Sequence, residues 1–184
     1  RLPDILESSG AKLREIGATN HTSMDDYAGA IGPQTGLILK VHRSNFFMKG
    51  FVAAPERREL AVLARKKRVP FMEDLGSGVL LPTGDWAEGH HEPMPREVLK
   101  DGADIVCFSG DKLMGGPQSG IIAGRARHVQ ALKKHPFFRA LRCDKLVLSV
   151  LQSTAEHYLH DQGGELPLQG MLTADLASIQ RRTR

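Results

Sequence analysis

Short runs of bulky apolar residues alternate along the chain with segments whose apolar positions recur at helical spacing. Four of the runs, rich in aliphatic side chains and bounded by turn residues, are predicted to be strands: residues 36–42, 69–74, 104–109 and 120–124. Continuous apolar strands separated by helices are typical of a mostly parallel sheet that is covered on both faces. The pattern therefore predicts an α/β fold with flanking helices.

The helical segments lie between and after these strands. Residues 55–67 place apolar side chains at helical spacing, and Pro55 suits the first turn of a helix. Residues 81–95 form one long segment rich in Pro, Gly, His and acidic residues, which predicts a loop of a length that is often functional. Further helices are predicted at residues 95–99, 126–134, 144–159 and 173–184.

In sheets of this type, ligands bind at the carboxyl ends of the strands. Polar and glycine-rich segments follow the predicted strands, at residues 42–45, 74–78 and 109–112 and in the loop before Gly120. We therefore expect one rim of the sheet to bring these groups together and to carry the chemistry of the protein.

Composition limits the classes of protein that fit. The 184 residues are 41% hydrophobic and 25% charged, as in an ordinary soluble globular domain. No apolar run approaches the roughly 18 residues of a membrane span, and nothing resembles a signal peptide. Two cysteines are too few for a disulfide framework or a zinc cluster, and Cys107 lies in an apolar run, so a cytoplasmic protein is expected. The net charge of +4 permits an anionic partner such as a nucleic acid.

Asp74 and Lys112 each lie at or just beyond the end of an apolar run. Pyridoxal phosphate (PLP) chemistry requires this pair of groups, because a lysine amine forms the Schiff base and a carboxylate keeps the pyridine nitrogen protonated. The alternative is that Asp74 caps a turn and that Lys112 is a solvated loop lysine. Their spacing alone leaves both interpretations open.

The residues around Lys112 narrow the choice. Residues 109–120 combine a strand end, the lysine and several glycines, which let the backbone approach a bulky ring. Ser109 is a candidate for binding a phosphate oxygen. A Walker-type phosphate loop is excluded because the G-x-x-x-x-G-K-[ST] spacing is absent.

Two segments carry a specific pattern: Glu-Asp-Leu-Gly-Ser-Gly at residues 73–78, and Phe-Ser-Gly-Asp-Lys-Leu-Met-Gly-Gly-Pro-Gln-Ser-Gly at residues 108–120. This pattern resembles the bacterial L-seryl-tRNA(Sec) selenium transferase family, the selenocysteine synthases. Other fold-type I PLP proteins share the aspartate and the lysine but not the run around the lysine. The resemblance extends over nearly the whole chain, through residues 15–20, 41–46, 121–124, 135–136 and 139–145.

The resemblance implies roles for particular residues. Lys112 would form the internal aldimine with PLP, Asp74 would pair with the pyridinium, and Asp111 matches a residue of the family's active site. Arg139 and Arg142 match arginines that grip the anionic selenium donor, a task that the forked guanidinium suits. Their spacing would place both on one helical face if the segment is helical, whereas without the resemblance a solvated basic face is the alternative.

Three residues after the first predicted strand have less specific roles. Ser44 and Asn45 occupy the place where related folds set a side chain against the phenolic oxygen of the cofactor. His42 is either a residue that stacks on the cofactor ring or a hydrogen-bonded histidine of the rim.

For the whole protein, the resemblance implies PLP-dependent conversion of seryl-tRNA(Sec) to selenocysteinyl-tRNA(Sec) with selenophosphate, through an aminoacrylyl intermediate. It also implies a homo-oligomer, such as a ring of dimers, and no membrane association. Two alternatives stay open. The first is another fold-type I PLP lyase or transferase that acts on a small amino acid without RNA, and the second is an inactive fragment.

The chain departs from the family in extent and in detail. Family members are much longer, so we expect a partial large domain of a fold-type I PLP-dependent transferase, incomplete at its N-terminus, at residues 1–160. Residues 161–184 would then lead towards an absent C-terminal small domain. His21 stands where many family members have arginine. The His and Glu residues at positions 88, 90, 91 and 92 lack ordered ligand spacing, so no metal site is expected.

Overall fold

A computed structural model describes residues 2–84 and 91–183 of the chain. The strands are β1 (Ile38–Val41), β2 (Phe71–Gly76), β3 (Ile105–Ser109) and β4 (Gly120–Gly124). The helices are α1 (Leu2–Ser8), α2 (Met24–Ala30), α3 (Arg57–Lys67), α4 (Pro95–Lys100), α5 (Ala126–Lys134), α6 (Pro136–Leu141), α7 (Lys145–Leu159), α8 (Pro167–Leu172) and α9 (Leu176–Arg182).

The strands form one sheet in the order β1-β2-β3-β4. Strands β1, β2 and β3 are parallel, and β4 runs antiparallel to β3. Parallel neighbours need a crossover of a dozen or more residues, and the connection between β3 and β4 is shorter than that. The start of β4 therefore lies at the same edge as the ends of the other three strands, with Gly120 opposite Ser109. The mostly parallel α/β sheet expected from the sequence is confirmed.

The buried core lies between the sheet and helices α3 and α4. Leu60 and Ala64 of α3 pack with Phe71 and Leu75 of β2 and with Val98 of α4, and all five are essentially inaccessible to solvent. Full burial of each large apolar side chain contributes about 1.5–3 kcal/mol. This packing fixes the end of β2 relative to the helices that precede and follow it.

A buried ion pair joins α3 to the sheet. The Arg57 guanidinium donates to both carboxylate oxygens of Glu73, at 2.6 and 3.1 Å, and Glu73 is 1% exposed. Arg57 also donates to Asp101 at 2.8 Å, and the exposed Arg58 donates to the second oxygen of Asp101. The network ties the start of α3 to β2 and to the residue that follows α4.

The segment that follows α7 packs against the loop that carries Lys112. The Tyr158 hydroxyl of α7 donates to the carbonyl of Met114 at 2.8 Å, and the Gln169 amide of α8 donates to that of Leu113 at 3.2 Å. Leu166 is buried at the start of α8. Residues beyond 160 therefore support the lysine loop.

The predicted elements agree with the structure except in short helices and at boundaries. Helices α1, α2, α6 and α8 were not predicted, because six or seven residues show too few turns for a clear helical period, although α4 and α9 of the same length were predicted. The helix predicted at residues 173–184 begins only at Leu176, because the Asp175 side chain caps it by accepting from Ser178 N–H. Within the described ranges, no helix is long and apolar enough to cross a membrane.

Candidate functional site

Asp74 lies near the end of β2, where two hydrogen bonds fix its position. Its Oδ1 accepts a hydrogen bond from the backbone N–H of Gly76 at 3.0 Å. Its backbone carbonyl accepts from the N–H of His42, the residue that follows β1, at 2.8 Å. The carboxylate is therefore oriented by the turn that ends its own strand, and the ends of β1 and β2 are joined directly beside it.

Lys112 lies over the same strand end. Gly76 has a left-handed backbone with φ of 67°, and a Cβ at this position would lie 3.7 Å from Lys112 Nζ and 3.6 Å from Ser44 Oγ. Glycine therefore suits both the conformation and the space. The lysine amine, the Ser44 hydroxyl and the Asp74 carboxylate all surround Gly76, so the rim brings together the pair that the sequence singled out.

The loop that carries the lysine is held by backbone hydrogen bonds at both ends. Leu113 N–H donates to the Ser77 carbonyl at 2.9 Å, and Gly116 N–H donates to the Gly110 carbonyl at 2.8 Å. A Cβ at Gly110 would lie 2.8 Å from the Pro117 carbonyl oxygen, so glycine is required where the loop folds back on itself. The glycines of this segment make the loop compact and thereby fix the position of Lys112.

Cys107 contacts Asp74 from the neighbouring strand. The two residues pair in the β2–β3 register, so their side chains share one face of the sheet. Burial, and after it the charge of Asp74 and a hydrogen bond to Asp74, together raise the pKa of the Cys107 thiol to about 12. Cys107 thus stays protonated near neutral pH and donates to the carboxylate.

A second carboxylate, Glu92, joins the ends of β1 and β2. Its Oε2 lies 3.0 Å from His42 Nε2, and its Oε1 accepts a short hydrogen bond from the Ser77 hydroxyl. The carboxylate of Glu92 and the ring of His42 are both largely shielded from solvent, and Ser77 is buried. His42 is therefore a hydrogen-bonded histidine of the rim, and its stacking on a cofactor ring stays a prediction.

The other predicted residues of the rim are present with fewer contacts. Ser109 is half-buried at the end of β3, opposite Gly120. Asp111 is exposed beside Lys112, and Asn45 is exposed on the segment after β1. Their roles in binding or catalysis stay predictions.

Arg139 and Arg142 line a separate pocket. Its volume is about 420 Å³, and its other lining residues run from Cys143 into the first turn of α7. Arg139 lies in α6, but Arg142 follows the helix with an extended backbone, at φ −63° and ψ 142°. The two arginines therefore do not share a helical face, although the turn between α6 and α7 still brings them to one pocket.

The described histidines and acidic residues of the loop after β2 form hydrogen-bonded pairs. His91 Nε2 lies 2.9 Å from Glu97 Oε2, and Glu92 contacts His42 at the rim. Glu88 and His90 lie outside the described residues. Within the described part of the chain, no group of three or more His, Cys, Asp or Glu side chains is arranged to hold a metal ion.

Besides Glu92, four contributors to the site are not predicted by the sequence. Ser77 and Cys107 had usable signals, since Ser77 lies between the glycines of the 73–78 motif and Cys107 lies in the strand next to that of Asp74. Tyr158 and Gln169 had none, because their contacts join segments more than forty residues apart in the chain.

Solved structures with a similar fold include one of D-glucosaminate-6-phosphate ammonia-lyase, with a TM-score of 0.63 and 22% identity, which covers 82% of this chain and 37% of that one. The SepCysS-SepCysE N-terminal domain complex gives a TM-score of 0.57 at 18% identity, with 87% and 44% covered. These likenesses confirm the expected α/β fold class.

Sequence comparison gives closer relatives, all named L-seryl-tRNA(Sec) selenium transferase. The protein from Hyphomonas neptunium is 49% identical over 100% of this chain, and that from Aquifex aeolicus is 43% identical over 100%. The chain spans about 40% of the length of these relatives. The family model described as SelA, L-seryl-tRNA selenium transferase, matches residues 1–184. This chain belongs to the L-seryl-tRNA selenium transferase family.

Proposed function

We propose that the protein containing this chain uses PLP and selenophosphate to convert seryl-tRNA(Sec) to selenocysteinyl-tRNA(Sec). The proposal rests on one observation in a chain of the selenium transferase family. Lys112 Nζ lies beside Gly76, and the N–H of Gly76 donates to the Asp74 carboxylate. The whole protein is proposed to act as a cytoplasmic homo-oligomer. Residues 1–160 are proposed as its cofactor-binding region, with residues 161–184 leading towards a further domain.

The residues of the rim fit PLP. Lys112 supplies an exposed amine, Asp74 an oriented carboxylate for the pyridine nitrogen, and Ser109 a hydroxyl for phosphate. Gly76 leaves open the space between the amine and Ser44 that a side chain would fill. PLP, when bound, supplies an electron-accepting ring that stabilises negative charge at the substrate Cα.

Each residue then has a definable task. Lys112 holds the cofactor and, once released, removes the proton from the seryl Cα. Asp74 keeps a proton on the pyridine nitrogen, and its hydrogen bond from Gly76 keeps the carboxylate in place for this. Asp111 is exposed beside Lys112 and is proposed as a further catalytic residue. His42 and Asn45 are proposed to contact the cofactor.

The selenium donor is assigned to the pocket of Arg139 and Arg142. Two guanidinium groups at one pocket meet phosphate oxygens through charge-assisted, bidentate hydrogen bonds. The overall change at the substrate is loss of the seryl hydroxyl as water and formation of a carbon–selenium bond at Cβ. The pocket would hold the anionic donor for the second of these two changes, the formation of the carbon–selenium bond.

The test uses the full-length protein with PLP, seryl-tRNA(Sec) and selenophosphate. We expect selenocysteinyl-tRNA(Sec) to form, and free serine to fail as a replacement for the charged tRNA. Lys112→Ala should abolish both turnover and the visible absorbance of lysine-bound PLP, and Lys112→Arg should fail as well because a guanidinium stays protonated. Turnover of free serine would favour a PLP enzyme that acts without RNA, and turnover by either variant would show that another lysine holds the cofactor.

A further inference from the structure

Glu92 stands out among the residues that the proposed reaction does not use. It belongs to the His- and Glu-rich segment at residues 81–95, yet the partners that the described residues supply lie outside that segment and are largely shielded from solvent. One carboxylate oxygen contacts His42 at the end of β1, and the other accepts from Ser77 just beyond β2. A single side chain thereby joins the two strand ends that carry the candidate site.

Both partners of Glu92 lead directly to the groups assigned to the cofactor. The backbone N–H of His42 donates to the Asp74 carbonyl at 2.8 Å. The Ser77 carbonyl accepts from Leu113 N–H at 2.9 Å, immediately after Lys112. A displacement of either strand end would therefore move the carboxylate, the lysine or both.

The surroundings of Glu92 make the contact stronger than a surface hydrogen bond. The side chain of Glu92 is 18% exposed and that of His42 is 24% exposed. Hydrogen bonds to an ionised acceptor shielded from water are about twice as strong as neutral ones. A proton on His42 Nε2 would make this nitrogen the donor to the Glu92 carboxylate.

We propose that Glu92 is a positioning residue that clamps the ends of β1 and β2 and thereby sets the geometry of Lys112 and Asp74 for PLP. The role in cofactor binding rests on the proposed function, whereas the clamp itself is a property of the fold. Glu92 acts through His42 and Ser77 and does not itself touch the reacting atoms.

The test compares Glu92→Ala with Glu92→Gln in the full-length protein. Alanine removes both hydrogen bonds, so we expect PLP to dissociate about 5- to 10-fold faster, the effect of losing about one net hydrogen bond. Glutamine should restore retention only in part, because its amide oxygen accepts from His42 and its NH₂ donates to the Ser77 oxygen, but a neutral amide lacks the charge that strengthens both hydrogen bonds. Glu97→Ala is the matched control, since Glu97 binds His91 and the Met94 N–H of the same segment.

A second measurement does not depend on the cofactor. In the PLP-free protein, amide hydrogen exchange at residues 42–45 and 75–78 should accelerate in Glu92→Ala but not in Glu97→Ala. If exchange and PLP release both match wild type in Glu92→Ala, the inference is wrong. If exchange accelerates while the wild-type protein binds no PLP, the clamp stands as a structural feature, and both its cofactor role and the proposed function are overturned.

Discussion

At the scale of single residues, the candidate site is built from side chains that restrain one another. Asp74 is held by the Gly76 N–H and by the thiol of Cys107, which approaches from the adjacent strand. The Lys112 amine lies beside Gly76, which has no side chain to crowd it. The geometry therefore depends on two residues, Gly76 and Cys107, that supply no chemistry of their own.

The contact between Cys107 and Asp74 predicts slow alkylation of the thiol. Iodoacetamide reacts with the thiolate, and the pKa of Cys107 is raised to about 12 by burial and by Asp74. The rate should therefore keep rising with pH well beyond about 8.5, where an ordinary thiol levels off. Asp74→Asn should speed the reaction at pH 8 because it removes the negative charge that opposes the thiolate.

Peptide mass spectrometry of the alkylated protein measures this prediction directly. Cys143, half-buried beside the Arg142 pocket, serves as the internal reference in the same sample. An unchanged ratio of Cys107 to Cys143 labelling in Asp74→Asn would show that burial alone controls the thiol, and that Asp74 does not accept its proton.

Residues that lie within a local sequence motif could be predicted, whereas residues that act through long-range contacts could not. Asp74 and Lys112 stand at the ends of apolar runs within specific motifs, and both reach the same rim of the structure. Glu92 was set aside as part of an unordered loop, because its partners, His42 and Ser77, become neighbours only when β1 and β2 pair. Long-range contacts of this kind produce no periodic pattern in a single sequence.

At the scale of elements, the strands and long helices follow from their apolar patterns, but their termini and directions depend on contacts. The start of α3 illustrates the point. Arg57 looks like a surface residue in the sequence, yet it binds both oxygens of the buried Glu73. Alternate residues of β2 are buried, so Glu73 faces inward, but the sequence does not show which cation pairs with it.

This ion pair predicts a large loss of stability when one partner is removed. Glu73→Ala would leave the Arg57 guanidinium in a mostly buried position with only Asp101 as its partner. A broken buried pair costs about 3–5 kcal/mol, and the remaining contact to Asp101 favours the lower end. Urea unfolding of the full-length protein would measure the change.

Arg58→Ala is the matched control for that measurement. Arg58 binds the same Asp101 carboxylate, but its side chain is 78% exposed. Exposed pairs contribute about 0–1 kcal/mol, so this variant should unfold close to wild type. Equal losses for Glu73→Ala and Arg58→Ala would contradict the view that burial of the pair determines its contribution.

At the scale of the molecule, positive charge is concentrated in the segment that follows β4 in the sequence. Between Arg125 and Lys145 the chain has seven basic residues and one acidic residue, a net charge of +6 against +4 for the whole chain, and these basic residues are exposed. The pocket of Arg139 and Arg142 lies within this region, whereas the rim combines carboxylates with a single lysine amine. The anionic donor is therefore expected to bind within the most basic segment of the chain.

The last prediction tests the donor site against the alternative of a general RNA surface. Arg139→Ala or Arg142→Ala should weaken use of selenophosphate by about 2–3 kcal/mol, or roughly 30- to 150-fold, and leave the absorbance of lysine-bound PLP unchanged. Lysine at either position should rescue only partly, because it lacks the fork. Binding of seryl-tRNA should change less, since RNA affinity is spread over many phosphate contacts.

Single-turnover transfer at varied selenophosphate, with tRNA binding measured at two salt concentrations, separates these effects. Arg127→Ala, an exposed arginine of α5 near Asp104, controls for the loss of one positive charge. Because a bidentate contact is local while counterion release is shared, donor dependence should move only in the pocket variants, and the salt slope should move little in any of them. Lost tRNA binding with normal donor dependence would assign Arg139 and Arg142 to the RNA surface instead.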